Sequence, residues 1–356
     1  MQQLSQIYLL SLLIITVSGC STLNYYAQAV GGQWSLMTAR QPISDVLARD
    51  ETPAALKRSL VTAVEVRDFA QQELALPVSG SFTDYVALDR PYVVVNLVAV
   101  PEFSLQPHQW CYPMIGCQAY RGYFNVDQAS AEEQTFKARG YDTFIGGVTA
   151  YSTLGWFNDP LHTGFTRLPP AQMAALIIHE LSHQVVYIPG DTAFNESFAT
   201  AVELEGLERW LNRQGQQAEF GRALARLQYR NQTLALVAAT TDKLAALYQQ
   251  QDGLPDDRLR SRKAAILDQL REAYVLMSAQ WSESGPLGSE PPSLNNANLA
   301  LFRQYNEYVP GFRQLLRTHN SDFNAFYQAV IALSEQPQAE RQAQLARLTE
   351  AFNEDL

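Results

Sequence analysis

The stretch PAQMAALIIHELSHQVVYIPGDTAFNESFAT, residues 170–200, decides how the rest of the chain is read. Pro169 and Pro170 suit a helix start, because the first helical turn needs no backbone donor and the proline φ is already helical. The run from Ala171 to Val186 is apolar enough to lie buried, and after the loop YIPGDTAF a second helix is expected from Asn195 to about Asn212. Within the first helix stands HELSH, residues 179–183. Positions i and i+4 share one helix face, so His179 and His183 can each present a ring nitrogen to one zinc ion. Glu180 is carried beside that ion rather than onto it, where its carboxylate can take a proton from water. The alternative is a helix with two unrelated surface imidazoles. The chain has only five His, and Leu176, Ile177, Ile178 and Val185 would accommodate unpaired rings poorly, which favours the metal.

A catalytic zinc needs a third protein ligand and one free position. Thirteen residues after His183 comes Glu196, in NESFAT. This order resembles the gluzincin superfamily, and HELSHQ followed by NESFA is similar to its zinc aminopeptidases. The resemblance implies that Glu196 completes the site, with Asp191 the alternative ligand. Thr200 and Glu203 follow Glu196 on the same helix face and are candidates for hydrogen bonds to the ligand rings, or else ordinary solvated polar residues.

Working outward, residues 24–76 carry helical spacing, as in LKRSLVTAVEVRDFAQQEL. YVVVNLVAVPEF, 92–103, is rich in β-branched residues and reads as a buried strand ended by Pro101. Residues 110–124 read as a second extended piece, 127–139 as a polar helix stopped by Gly140, and 141–151 as a third strand. Gly146 and Gly147 in that strand are expected to let another backbone approach closely. From 217 onward the pattern stays helical, over 217–250, 256–281, 295–308, 311–318 and 321–352. The fold expected is α+β: short N-terminal strands beside a predominantly helical core, with a helical C-terminal half from about 216. The resemblance makes that core zincin-like, of the gluzincin kind, in a single unit spanning 20–356.

The ends and the charge bound the setting. With 26 Lys and Arg against 36 Asp and Glu, a net charge of -10 repels a phosphate backbone and excludes nucleic acid as a partner. Residues 1–19 hold an apolar run, Ile7 to Val17, too short to span a bilayer comfortably and ending in small residues before Cys20. This is a signal-peptide pattern. Val17, Ser18, Gly19 and Cys20 resemble a bacterial lipobox, which implies cleavage before Cys20, its acylation and membrane anchoring. Ser21 next to it is similar to lipoproteins sent to the outer membrane, so the expected location is the envelope, facing the periplasm. In such an oxidising compartment Cys111 and Cys117 are expected to form a disulfide, through a turn at Pro113 and Gly116, rather than remain separate thiols.

Nearly all of the mature chain resembles a bacterial lipoprotein family described as zinc aminopeptidases, on WCYPMIGCQAYRGYF, AYSTLGWFNDPL, HELSHQ, NESFAT and NNANLALFRQYNEYVPGF. The activity implied is zinc-dependent hydrolysis of peptides in the envelope. An endopeptidase on larger envelope proteins and a zinc-containing scaffold are the alternatives. In related aminopeptidases a glycine-rich strand ends in an acid that holds the substrate amine, but no Glu follows GGVTAY here. Tyr151 takes that place and could bind substrate, line the oxyanion position or pack as a plain aromatic. Among 17 tyrosines, Tyr305 with Asn296 is the first candidate for the phenol beside the reacting carbonyl, against a core role. His108, His162 and His319 carry no motif and are expected to be structural or surface residues.

Overall fold

The computed structural model describes residues 24–112, 116–148, 158–302 and 307–352. Cys20 with the segment before it, Tyr151 and Tyr305 lie outside the described residues. The protein is α+β and mostly helical. The N-terminal part runs α1 (24–38), β1 (Gln41–Pro42), α2 (Ile43–Ala48) and α3 (Ala54–Glu73), then β2 (Asp84–Val86) and β3 (Val94–Pro101). The cysteine segment forms β4 (Trp110–Tyr112), β5 (Gly116–Gln118) and β6 (Arg121–Tyr123), followed by α4 (Val126–Lys137), β7 (Tyr141–Val148), β8 (Leu161–His162) and α5 (Thr163–Thr166). Two helices then carry the motifs, α6 (Pro170–Ser182) and α7 (Thr192–Arg213). The long pair α8 (Gln217–Tyr248) and α9 (Asp256–Ser278) precedes α10 (Asn296–Leu301), α11 (Val309–Thr318), α12 (Phe323–Ser334) and α13 (Gln338–Glu350). No helix among the described residues is long and apolar enough to cross a membrane.

β3 is the middle strand of an antiparallel sheet ordered β6-β3-β7, and its apolar run, interrupted only by Asn96, has a direct cause. Side chains alternate across a strand. Val95, Leu97 and Ala99 meet Ala129 and Phe136 of α4, whereas Val98 and Val100 meet Ala297 of α10. With both faces covered, the buried positions on either side of part-buried Asn96 are all apolar. The second sheet joins β1, β2 and β8, with β2 parallel to β8. The third is the β4–β5 hairpin, in which Cys111 and Cys117 face each other and form a disulfide.

The main core lies where α6 and α7 pack together under α3 and the C-terminal helices, with Leu60, Ile178, Phe198, Phe312 and Phe326 fully buried. Gly206 allows the close crossing of α7 over α6. A Cβ there would stand 2.6 Å from Leu74 and 3.1 Å from Ile178. At a helix contact of this kind, added bulk forces the two elements apart.

Several boundaries differ from the sequence reading. Residues 110–124 are three short strands rather than one extended piece, and β6 leaves the hairpin to pair with β3. The expected helix over 321–352 is two helices, because Pro337 cannot continue α12 and instead caps α13. Gly146 and Gly147 admit aromatic rings, not a backbone: Phe144 and Tyr92 lie where their Cβ atoms would be. α6 stops at Ser182, one residue before His183, and the Ser182 hydroxyl donates to the Ile178 carbonyl at 2.7 Å.

Candidate metal centre

Ending at Ser182 does not cost α6 its pairing of rings, since His183 keeps helical dihedrals as the C-cap. The rings of His179 and His183 therefore stand on one face with centroids 5.0 Å apart. Opposite them α7 begins three residues earlier than the sequence suggested, because the Asp191 side chain accepts the Phe194 amide and caps the helix. That cap places Glu196 in the second turn, pointing across at α6. The loop between the helices is clamped as well: the Asn195 side chain accepts from Ile188 N at 2.9 Å and donates to Ile188 O at 2.8 Å.

The result is a cluster of His179, His183 and Glu196 whose ligand atoms all lie within 4.8 Å of one another. One oxygen of Glu196 is 3.4 Å from Nε2 of His179, and the other is 3.8 Å from Nε2 of His183. Donors held about 2.0–2.1 Å from one tetrahedral ion stand roughly 3.3 Å apart, so two nitrogens and a carboxylate in this arrangement fit a zinc-type site. The cluster could hold a metal ion. Asp191, the alternative ligand, is engaged elsewhere, capping α7 and pairing with Arg341 of α13 at 2.6 Å.

Electrostatics agree with a cation site. Burial opposes charge on His179, yet hydrogen bonds to Glu196 and Glu203 outweigh it and raise its pKa to about 10. The two carboxylates thus favour positive charge at this point, and a metal bound at Nε2 would take the place of the ring proton there. Burial, helped by that neighbouring charge, lowers His183 to about 4 and keeps its ring neutral, the form a metal requires. Burial also disfavours the Glu196 carboxylate, but His179, His183 and Arg230 more than compensate, and its pKa is lowered.

Glu180 stays outside the cluster. It is buried on the α6 face that lines the same cleft, where desolvation, together with the charges of Glu196, Asp159 and Glu203, raises its pKa to about 7 despite the opposing pull of His179. A carboxyl group tuned to that range can both take and return a proton at neutral pH. Glu203 accepts from Nδ1 of His179 at 3.0 Å. Thr200 lines the cleft, but among the described residues no hydrogen bond joins it to either ring.

The other sequence candidates separate from the site. Asn296 is buried and tied to structure: it accepts from the Tyr248 hydroxyl at 2.9 Å and donates to the carbonyls of Glu102 and Ser104 at 3.0 and 2.8 Å. His108 packs its ring against Trp110 and Phe136, His162 caps α5, and His319 ends α11. Two residues near the cluster escaped the sequence reading. Tyr187 sets its ring 6.5 Å from His183. Tyr120, on the turn after the disulfide hairpin, has its phenol pKa raised by lost solvation and then by the nearby Tyr187 and Glu196. Neither carries a motif. Tyr120 sits between β5 of the hairpin and β6 of the β6-β3-β7 sheet, so its coupling to Glu196 is a product of tertiary folding.

Residues 24–345, which run from the start of α1 through the motif helices into α13, match one family of proteins. The chain belongs to the family described as "Putative aminopeptidase". No curated protein and no solved structure matches it. Family membership supports peptide hydrolysis in general, and the metal cluster lies at the heart of the matched region.

Proposed function

We propose that this member of the family is a zinc-dependent aminopeptidase with a gluzincin-type site, held by His179, His183 and Glu196. The observation that carries the reading is the separation of duties among carboxylates. Glu196 belongs to the ligand cluster, whereas Glu180, buried in the same cleft, remains outside it. A structural metal site has no use for such a residue.

When bound, zinc supplies a Lewis acid that polarises the scissile carbonyl and makes water acidic enough to lose a proton near neutral pH. Glu180 takes that proton on its carboxylate as the water oxygen joins the carbonyl carbon. The carboxyl then returns the proton to the nitrogen as the C–N bond breaks, leaving a free acid and a free amine. Glu203 fixes the His179 ring through Nδ1. We assign to Tyr120, exposed on the turn before β6 and electrostatically coupled to Tyr187 and Glu196, the donation of a hydrogen bond to the developing oxyanion.

The same reading has the chain in the bacterial envelope, anchored at the outer membrane through an acylated Cys20. The residues Val17 to Cys20 support it, as does the Cys111–Cys117 disulfide, which suits an oxidising compartment. Hydrolysis of a mixed peptide library tests the function. Glu180→Gln should keep zinc and fold while losing turnover by about 10²–10⁴-fold. Library cleavage by that variant at the wild-type rate would defeat the assignment. Release of the first residue only, blocked when the peptide amine is acetylated, would support aminopeptidase specificity; internal cleavage of acetylated peptides would overturn it.

A further inference from the structure

The cleft beside the cluster, about 400 Å³, has a second wall that the proposed chemistry does not use. α8 contributes Arg226, Leu227 and Arg230 to it, facing Glu180 and Glu196. The spacing i to i+4 puts both guanidinium groups on one face of α8. In a chain of net charge -10, two arginines directed into one cleft stand out.

The two arginines are not equivalent. Arg226 is committed to Glu283 at 3.2 Å, in an ion pair that also involves Arg222. Arg230 is half-buried, and among the described residues no carboxylate pairs with it within 4.0 Å. Its charge is nevertheless felt at Glu196. A guanidinium in this position presents a planar fork of donors suited to a carboxylate, at a few residues' reach from the scissile bond.

We propose that Arg230 binds a carboxylate of the substrate, so that the site prefers short peptides carrying a negative charge close to the bond that is cut. This inference rests on the peptidase reading for the identity of the ligand as a peptide. The carboxylate has two chemical sources, the C-terminus of a di- or tripeptide and an Asp or Glu side chain. Leu168, Leu176 and Leu204 also line the cleft and give it apolar surface beside the charged groups.

The test measures binding as well as turnover. Zinc-loaded protein carrying Glu180→Gln is titrated calorimetrically with Ala-Ala-Ala, its C-terminal amide, and the pair Ala-Glu-amide and Ala-Gln-amide. The same four peptides are assayed for hydrolysis with Glu180 intact. The charged member of at least one pair should bind roughly 10- to 100-fold more tightly. Arg230→Gln should bring that ratio close to unity, and Arg230→Glu should invert it. Loss of the preference in the first pair assigns the terminal carboxylate, and loss in the second assigns the side chain. Equal binding within both pairs, or a preference that survives Arg230→Gln, would overturn the inference while hydrolysis of the neutral peptides left the peptidase reading standing. A drop in zinc affinity in Arg230→Gln with the preference intact would likewise overturn it, because Arg230 would then serve only to hold Glu196. Charge-selective binding through Arg230 without hydrolysis of any peptide would uphold the inference and defeat the peptidase reading.

Discussion

Glu203 and His179 are joined by a hydrogen bond of 3.0 Å from the ring Nδ1 to the carboxylate, two helical turns beyond Glu196 on the same face of α7. This single contact settles which nitrogen of His179 is left for a metal. Nδ1 is occupied, so Nε2 faces Glu196. Glu203→Ala should therefore lower zinc affinity by about 10–100-fold without removing any ligand. Competition with a chromophoric chelator measures it, and unchanged affinity would show that the ring is oriented by something else.

The loop that sets Glu196 in place depends on a distant helix. Arg341 of α13 pairs with Asp191 at 2.6 Å, with both side chains less than a tenth exposed. Removing one member leaves the other buried and uncompensated, so Arg341→Ala should cost about 3–5 kcal/mol in urea unfolding. Arg341→Ala together with Asp191→Asn should recover part of that loss, since no bare carboxylate remains. A cost below about 1 kcal/mol for the single variant would mean that the pair is solvated.

Tyr120 offers a sharper check of the proposed chemistry. Tyr120→Phe keeps the ring and removes only the hydroxyl, so kcat should fall by roughly 100-fold while zinc content stays the same. If kcat held and KM alone rose, Tyr120 would be a binding surface and not the oxyanion donor.

Much of the site was legible because a helix imposes its own geometry. His179, Glu180 and His183 are fixed relative to one another by 3.6-residue periodicity, and Glu196 followed from the resemblance that its spacing carries. Glu203 was legible for the same reason, as it continues the Glu196 face. Arg341, Tyr120 and Arg230 were not. Each reaches the site or the loop that shapes it through tertiary packing across 34 to 150 positions of sequence, with no local pattern to mark it. The α+β architecture was read correctly from the change of period near Pro169. Gly146 and Gly147 misled because a missing Cβ makes room for a ring as readily as for a backbone.

Acid should weaken the packing around His108, in the loop between β3 and β4. The His108 ring lies against Trp110 and Phe136, and burial lowers its pKa from 6.5, with Arg139 adding to the effect. The folded state thus binds fewer protons than the unfolded one. Its contribution to stability is fully present above pH 6.5 and is lost as pH falls through the lowered folded-state value. Urea midpoints of wild type and His108→Gln should diverge at neutral pH and converge in acid. Parallel curves from pH 7.5 to pH 5, about a unit and more either side of the free imidazole value, would contradict this.

Zinc content after exhaustive dialysis tests the central claim most directly. Wild type and Glu180→Gln should each retain about one zinc per chain, and the double variant His179→Ala, His183→Ala should retain none while remaining folded by circular dichroism. Stoichiometric zinc in the double variant, or none in wild type supplied with the metal, would contradict the site built from α6 and α7.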